Sequence, residues 1–218
     1  MPFSCRWPAL GRPRALRTAR APGLSGRLTP VGTTPFLNVR QIERYRLSNG
    51  LKVILLQDPV APVVSYQTWF NVGARHEREG ITGIAHLFEH LMFKETTNLP
   101  EGAFSRILEE AGARDLNAWT WYDETVYTQS VPKHYLELVM QLESDRMVNL
   151  VLNERQLASE REVVINERRF RSEDDPYGRI NEALGALAFD VHPYKWPVIG
   201  WRKDIEAISL EDCLLFYR

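Results

Sequence analysis

Gly83-Ile84-Ala85-His86-Leu87-Phe88-Glu89-His90-Leu91-Met92-Phe93 is the stretch on which the reading of this chain turns. Leu87, Leu91 and Met92 recur with helical spacing, and on a helix His86 and His90, four apart, share a face. Two imidazoles so placed can grip one metal ion at about 2.0–2.1 Å each. Glu89 stands beside that pair without being needed as a ligand, and a carboxylate there can take a proton from water activated by the metal. The order His-x-x-Glu-His inverts the commoner His-Glu-x-x-His arrangement, and the chemistry it indicates is hydrolysis. The pattern also arises by chance, and histidines on an apolar helix face also occur as packed core residues. A metal site therefore requires a third ligand.

A second segment, Ser159-Glu160-Arg161-Glu162-Val163-Val164-Ile165-Asn166-Glu167-Arg168-Arg169, lies in a run that reads as helix from about Asn153 to Arg171. Asn153 with Gln156 supplies the start signal. Glu160, Val163, Val164 and Glu167 fall on one stripe, which places two carboxylates two turns apart among apolar residues. Two readings are open from the residues alone. The carboxylates serve a site, or they pair with Arg161, Arg168 or Arg169 on a solvated surface.

Together the two segments resemble the pitrilysin (insulinase) family of inverzincin metallopeptidases, which includes many bacterial zinc proteases and the mitochondrial processing peptidase β subunit. The likeness runs almost continuously from Asn38-Val39 to Tyr217. It takes in Leu47-Ser48-Asn49-Gly50-Leu51, Val72-Gly73-Ala74-Arg75, Leu116-Asn117-Ala118, Asp123-Glu124-Thr125-Val126-Tyr127, His192-Pro193-Tyr194 and Ile199-Gly200-Trp201. Two departures stand out: Glu95 follows Phe93-Lys94 where the family usually has glycine, and Trp119 and Trp121 replace smaller residues. Neither touches a ligand position. A core-filling role is expected for each tryptophan.

The resemblance implies zinc held by His86, His90 and Glu167, the last lying 77 positions beyond His90. It implies Glu89 as general base and Glu160 as a supporting carboxylate of the catalytic site that does not bind metal. It also implies an α+β fold, an antiparallel sheet with helices packed on one face and zinc beside an edge strand. A peptide or unfolded protein segment is expected to add to that edge at Asn117, Ala118, Trp119 and Thr120, by main-chain pairing. Relatives are built from two successive domains of similar fold, so the second half is expected to be absent here, with the chain ending inside the last helix of the first domain. A second peptidase-fold domain or subunit, or self-association, is then expected to complete it. The family also contains non-catalytic structural subunits, which tend to lose motif residues. His86, Glu89, His90, Glu160 and Glu167 are all retained, which favours the metalloendopeptidase.

The 218 residues suffice for one substantial core, and a formal net charge of −1 gives no general reason for nucleic-acid binding. The charge is uneven: no acidic residue precedes Glu43, while Arg6, Arg12, Arg14, Arg17, Arg20, Arg27 and Arg40 do. Residues 1–36, rich in Pro, Gly and Arg, read as a disordered tail before a peptidase domain at 37–218. The tail is either an organelle presequence, opposed by Pro2, Pro8, Pro13, Pro22 and Pro30, or a start codon placed too early. The compartment stays unassigned. No segment approaches a membrane span, so a soluble folded part is expected. Cys5 and Cys213 have no metal-knuckle spacing and no disulfide framework. His76 and His134 read as solvated, and His192 as structural.

The remaining periodicities predict strands at Ile42–Leu47 and Leu51–Gln57 joined by a type I′ turn at Asn49-Gly50, and another over Val64–Phe70. A metal helix is expected from about Thr82 and a second one over Ala103–Ala111. Strand-like runs follow at Leu116–Thr120 and Thr125–Val131, then a helix opened by Pro132. Further helices are expected over Ile180–Phe189 and from about Leu210.

Overall fold

The computed structural model describes residues 27–37 and 39–218, which divide after Pro62 into two compact units. In the first unit β1 (Thr29–Phe36), β2 (Arg40–Arg46) and β3 (Lys52–Leu56) form an antiparallel sheet in that order. The turn between β2 and β3 departs from the expected type I′. Leu47 O accepts from Gly50 N at 2.9 Å, Gly50 sits at φ +92°, and Asn49 is not among the positive-φ residues. The loop is thus a tight turn over Leu47–Gly50 with glycine in the left-handed position, the three-residue solution to the same hairpin.

β1 corrects the reading of the tail as disordered up to Phe36. It pairs with the full length of β2, from Thr29↔Arg46 to Phe36↔Arg40. Pro30 and Pro35 are tolerated because β1 is an edge strand, and the register shifts between Pro30 and Gly32. The rest of the expected tail, residues 1–26, lies outside the described residues.

The second unit holds β4 (Val63–Phe70), β5 (Arg114–Thr120) and β6 (Thr125–Pro132), antiparallel in the order β4-β6-β5, so β5 is an edge. Its helices are α1 (Ile84–Leu91), α2 (Ala103–Glu110), α3 (Leu136–Asn149), α4 (Glu154–Arg168), α5 (Pro176–Ala188), α6 (Arg202–Ala207) and α7 (Leu210–Tyr217). The architecture is α+β, as expected. The six strands form two three-stranded sheets, and α6 is an element that periodicity did not separate.

Side chains alternate across β6, and this decides what each face packs against. Tyr127, Gln129 and Val131 are buried on the helical side. Tyr127 joins a core of Leu87, Phe88 and Leu91 from α1, Leu157 and Val164 from α4, Ile205, Ile208 and the free Cys213. Val131 joins a second core with Phe104, Leu108, Val139 and Leu142. Each such large apolar side chain contributes about 1.5–3 kcal/mol of burial. On the opposite face Trp69 and Trp119 flank the fully buried Val126 in register, with ring centroids 5.9 Å apart and edge-on. Trp119 (39% exposed) and Trp121 (58%) thus lie at the surface and do not fill the core, which corrects the role expected for them: a flat strand edge leaves no enclosed space there for an indole.

α1 begins where two glycine backbones meet. Gly83 (φ +91°) and Gly200 (φ +86°) are so close that a Cβ on Gly200 would lie 2.5 Å from Gly83 Cα. Glu77 accepts hydrogen bonds from Gly83 N (2.8 Å) and Ala85 N (2.9 Å), satisfying donors that the first turn of α1 leaves free. Thr82 donates to Asp204 of α6 at 2.7 Å and accepts from Trp201 N at 2.9 Å. The direction of α1, and with it the aim of its histidines, is set at this end.

Three of the other quoted motifs, those holding Ala74-Arg75, Asp123 and Tyr194, are tied to one another. Tyr194 donates to Asp123 at 2.8 Å, Arg75 pairs with Asp123 at 3.0 Å, and Trp196 donates to Ala74 O at 2.9 Å. Glu95, in place of the usual glycine, accepts from Gln156 Nε2 at 2.8 Å and so ties the chain after α1 to the start of α4. Asn153 caps α4 by accepting from Gln156 N at 3.0 Å. α4 ends at Arg168, earlier than expected, and a π-helical turn continues over Arg169–Glu173.

Candidate metal centre

α1 turns its apolar side inward and leaves His86, Glu89 and His90 toward α4 and the sheet edge. On α4 the buried stripe runs through Leu157, Glu160 and Val164, with Glu167 one turn on and half-buried. Val163, expected on that stripe, is exposed instead. Its 100° step from Val164 carries it around to solvent.

The structure brings His86, His90 and Glu167 together, one ligand atom from each lying within 4.8 Å of the others. Glu167 Oε2 is 3.6 Å from His86 Nε2 and 3.4 Å from His90 Nε2. Tetrahedral ligands at about 2.0–2.1 Å from zinc stand roughly 3.3–3.4 Å apart, so these residues fit one ion. The donor set, two imidazoles and a carboxylate, is one that zinc takes. Burial, then neighbouring His90, outweigh the pull of Glu167 and hold His86 down to about 4, in the neutral form a metal requires. Its Nδ1 is buried without a hydrogen-bond partner.

His90 is oriented from both sides. Its Nδ1 lies 3.4 Å from Glu160 Oε2, which leaves Nε2 for the cluster. Burial pulls its pKa down, but contacts with Glu160 and Glu167 prevail and raise it to about 9. That is the signature of an electronegative site that wants a cation, supplied by a proton when no metal is bound. Glu160 is lowered by His90, against burial, and also by Lys94, whose Nζ is 2.6 Å from Glu160 Oε1. Glu167 is lowered mainly by His90; Arg171 NH1 lies 3.1 Å from its other oxygen. Glu89 is raised by burial, although the Thr120 hydroxyl donates to its Oε2 at 2.5 Å.

These groups open onto a cleft of about 610 Å³ bounded by Asn117, Ala118, Trp119 and Thr120 of β5, by Trp121 and Tyr122, and by Asn181 and Glu182 of α5. Eight of the nine sequence-derived site residues line this cleft, and the ninth, Glu160, stands behind His90. Sequence reasoning missed Lys94 and Arg171. Arg171 stands four residues after Glu167, a spacing that could have flagged it. His76, His134 and His192 are exposed and outside the cluster; His76 and His192 accept from nearby backbone N–H groups.

An α+β domain that sets a His-x-x-Glu-His helix against a second, glutamate-bearing helix beside an open sheet edge has the framework of a metallopeptidase. The chain belongs to the insulinase family, peptidase family M16, whose profile matches residues 52–200. It is 35% identical over 176 residues to the zinc protease PqqE of Helicobacter pylori, covering 80% of this chain and 39% of that protein. It is 30% identical over 212 residues to the mitochondrial cytochrome b-c1 complex subunit 1 of Rattus norvegicus, covering 95% and 44%. The crystal structure of a protease from Helicobacter pylori superposes with a TM-score of 0.79 at 35% identity, covering 82% of this chain and 43% of that one. The chain therefore spans well under half the length of these relatives. Among the described residues no helix is long and apolar enough to cross a membrane.

Proposed function

We propose that this chain carries a zinc metalloendopeptidase centre in which His86, His90 and Glu167 hold Zn2+ and Glu89 moves the proton. The observation that carries this reading is the convergence of those three donors, at metal-ligand separations, in a cleft walled by the free edge of β5. Zinc bound there supplies a Lewis acid that polarises the scissile carbonyl and makes a water nucleophilic near neutral pH. Glu89 accepts the proton of the attacking water and returns it to the departing amine. Glu160 holds His90 with Nε2 toward the cluster. An extended peptide adds to β5 along Asn117–Thr120, where main-chain pairing accepts many sequences.

α5 presents Tyr177, Ile180, Leu184 and Leu187 to solvent, a row at helical spacing. A second peptidase-fold domain or subunit, or another copy of this chain, covers such a row in the reading proposed here.

A second reading is a non-catalytic subunit of the same fold, favoured by the b-c1 relative's match to 95% of the chain. Retention of His86, Glu89, His90, Glu160 and Glu167 in one cluster argues for the enzyme. Glu89→Gln decides between them. In the peptidase it keeps one zinc per chain and abolishes cleavage of a mixed peptide library. A wild-type chain that, supplied with its second half, holds no zinc and cleaves nothing is the subunit.

A further inference from the structure

We propose that Thr120 is a positioning residue for Glu89, its hydroxyl coupling the strand edge offered to a peptide to the carboxylate that serves the reaction. The inference rests on the peptidase reading above and gives Thr120 a role distinct from main-chain pairing with substrate.

Thr120 is the last residue of β5, paired with Thr125 of β6. Alternation along the strand sends the side chain of Trp119 to the face opposite the helices and that of Thr120 toward α1. Its residue is only 7% exposed, and its Oγ1 donates to Glu89 Oε2 at 2.5 Å. Thr125 stands directly behind. Its hydroxyl donates to Val72 O at 2.9 Å and lies 3.4 Å from Thr120 Oγ1, so the single proton of Thr120 is left for Glu89. Beyond Thr120 the chain is closed by Trp121 N donating to Glu124 O at 2.8 Å. The hydroxyl is therefore carried on a short β-branched side chain at the point where β5 pairs with β6.

Two consequences follow from this geometry. With Oε2 engaged, the rotation of the Glu89 carboxylate is restrained and Oε1 is the oxygen left to accept a proton. Because the donor belongs to the edge strand itself, a peptide paired with β5 is placed by the same rigid element that places the base. Positioning of this kind contributes through geometry, which sub-ångström error degrades.

Thr120→Val removes the hydroxyl while keeping the shape and strand preference, and Thr120→Ser keeps the hydroxyl. Both are compared with wild type, zinc-loaded, for kcat and KM, for zinc affinity against a competing chelator, and for calorimetric binding of a peptidyl hydroxamate. The hydroxamate hydroxyl gives its proton to the base carboxylate as the anion ligates the metal, so its affinity reads Glu89 without turnover. Thr120→Val is expected to lower kcat and hydroxamate affinity about 10–100-fold, as loss of a supporting hydrogen bond at such sites does. KM and zinc affinity should stay at wild-type values, and Thr120→Ser should restore both lowered quantities. Wild-type hydroxamate binding by Thr120→Val, equal loss in Thr120→Ser, or zinc lost in step with kcat would each overturn the inference. A wild-type chain that fails to bind the hydroxamate would overturn the peptidase reading, and this inference with it.

Discussion

Glu160 divides its carboxylate between His90 and Lys94: Oε2 lies 3.4 Å from the histidine Nδ1, and Oε1 2.6 Å from the lysine Nζ. Lys94 also meets Glu101 at 3.1 Å. One oxygen sets which nitrogen of His90 faces the cluster, and the cation behind it keeps the carboxylate ionised. Glu167 has the complementary arrangement, with Oε2 on the imidazoles and Oε1 on Arg171.

From this contrast Glu160→Gln is expected to weaken zinc binding about 10–100-fold, the usual cost of losing support behind a ligand histidine. Glu167→Gln removes a ligand and should weaken it further. Competition titration with a chelator ranks the two. The reverse order would show that Glu160, not Glu167, binds the metal.

Arg146 and Glu143 form a buried pair, each about 1% exposed, with the guanidinium 4.1 Å above the Tyr127 ring and 4.5 Å above Phe104. Glu143 also accepts from Thr68 (2.9 Å) and Gln129 (3.0 Å). Arg146→Met strands that carboxylate and should cost about 3–5 kcal/mol in denaturant unfolding. Adding Glu143→Gln should recover part of the loss. A single variant as stable as wild type would mean that the pair is not desolvated in solution.

Gly200→Ala tests the backbone contact that starts α1. A left-handed conformation alone costs a non-glycine residue about 1–3 kcal/mol, and the added Cβ also meets Thr82 O at 2.3 Å. Thermal unfolding should register a clear drop in Tm. Gly50→Ala serves as the comparison, because its φ is also positive but nothing lies within 4 Å of a Cβ there. Equal losses at the two sites would deny any role to the contact with Gly83.

Burial raises Glu77 to about 8, against the two backbone donors that lower it, with Asp204 adding to the rise. Its folded pKa exceeds its unfolded one, so the folded state binds the extra proton. Its contribution is fully present below about pH 4.5 and is lost as pH rises toward 8. Chelator-treated wild type should therefore lose stability across that window more steeply than Glu77→Gln. Parallel slopes in urea unfolding would place the ionised form of Glu77 in the folded state.

Local chemistry made much of this protein legible in sequence. A 3.6-residue period put His86, Glu89 and His90 on one helix, Asn153 announced the start of α4, and Asn49-Gly50 marked a hairpin, although the turn type depended on backbone angles that residue identity leaves open. β1 was obscured because Pro30, Pro35 and flanking arginines resemble a tail, and only pairing with β2 makes an edge strand of them. Val163 and Val164 were indistinguishable by composition until packing buried one and exposed the other.

The sequence by itself determined that two imidazoles would stand one helical turn apart with a carboxylate beside them, because an α-helix imposes that from spacing alone. Which distant carboxylate meets them was decided by tertiary structure. Glu160 and Glu167 sit two turns apart on the same helix, and only the packing of α4 against α1 sets one on His90 Nδ1 and the other across both Nε2 atoms. Thr120 and Lys94 make their contacts with the site for the same reason: each meets a carboxylate far away in the chain, Glu89 and Glu160, through the packing of helix on sheet or helix on helix, and one-dimensional spacing carries no information about such a contact.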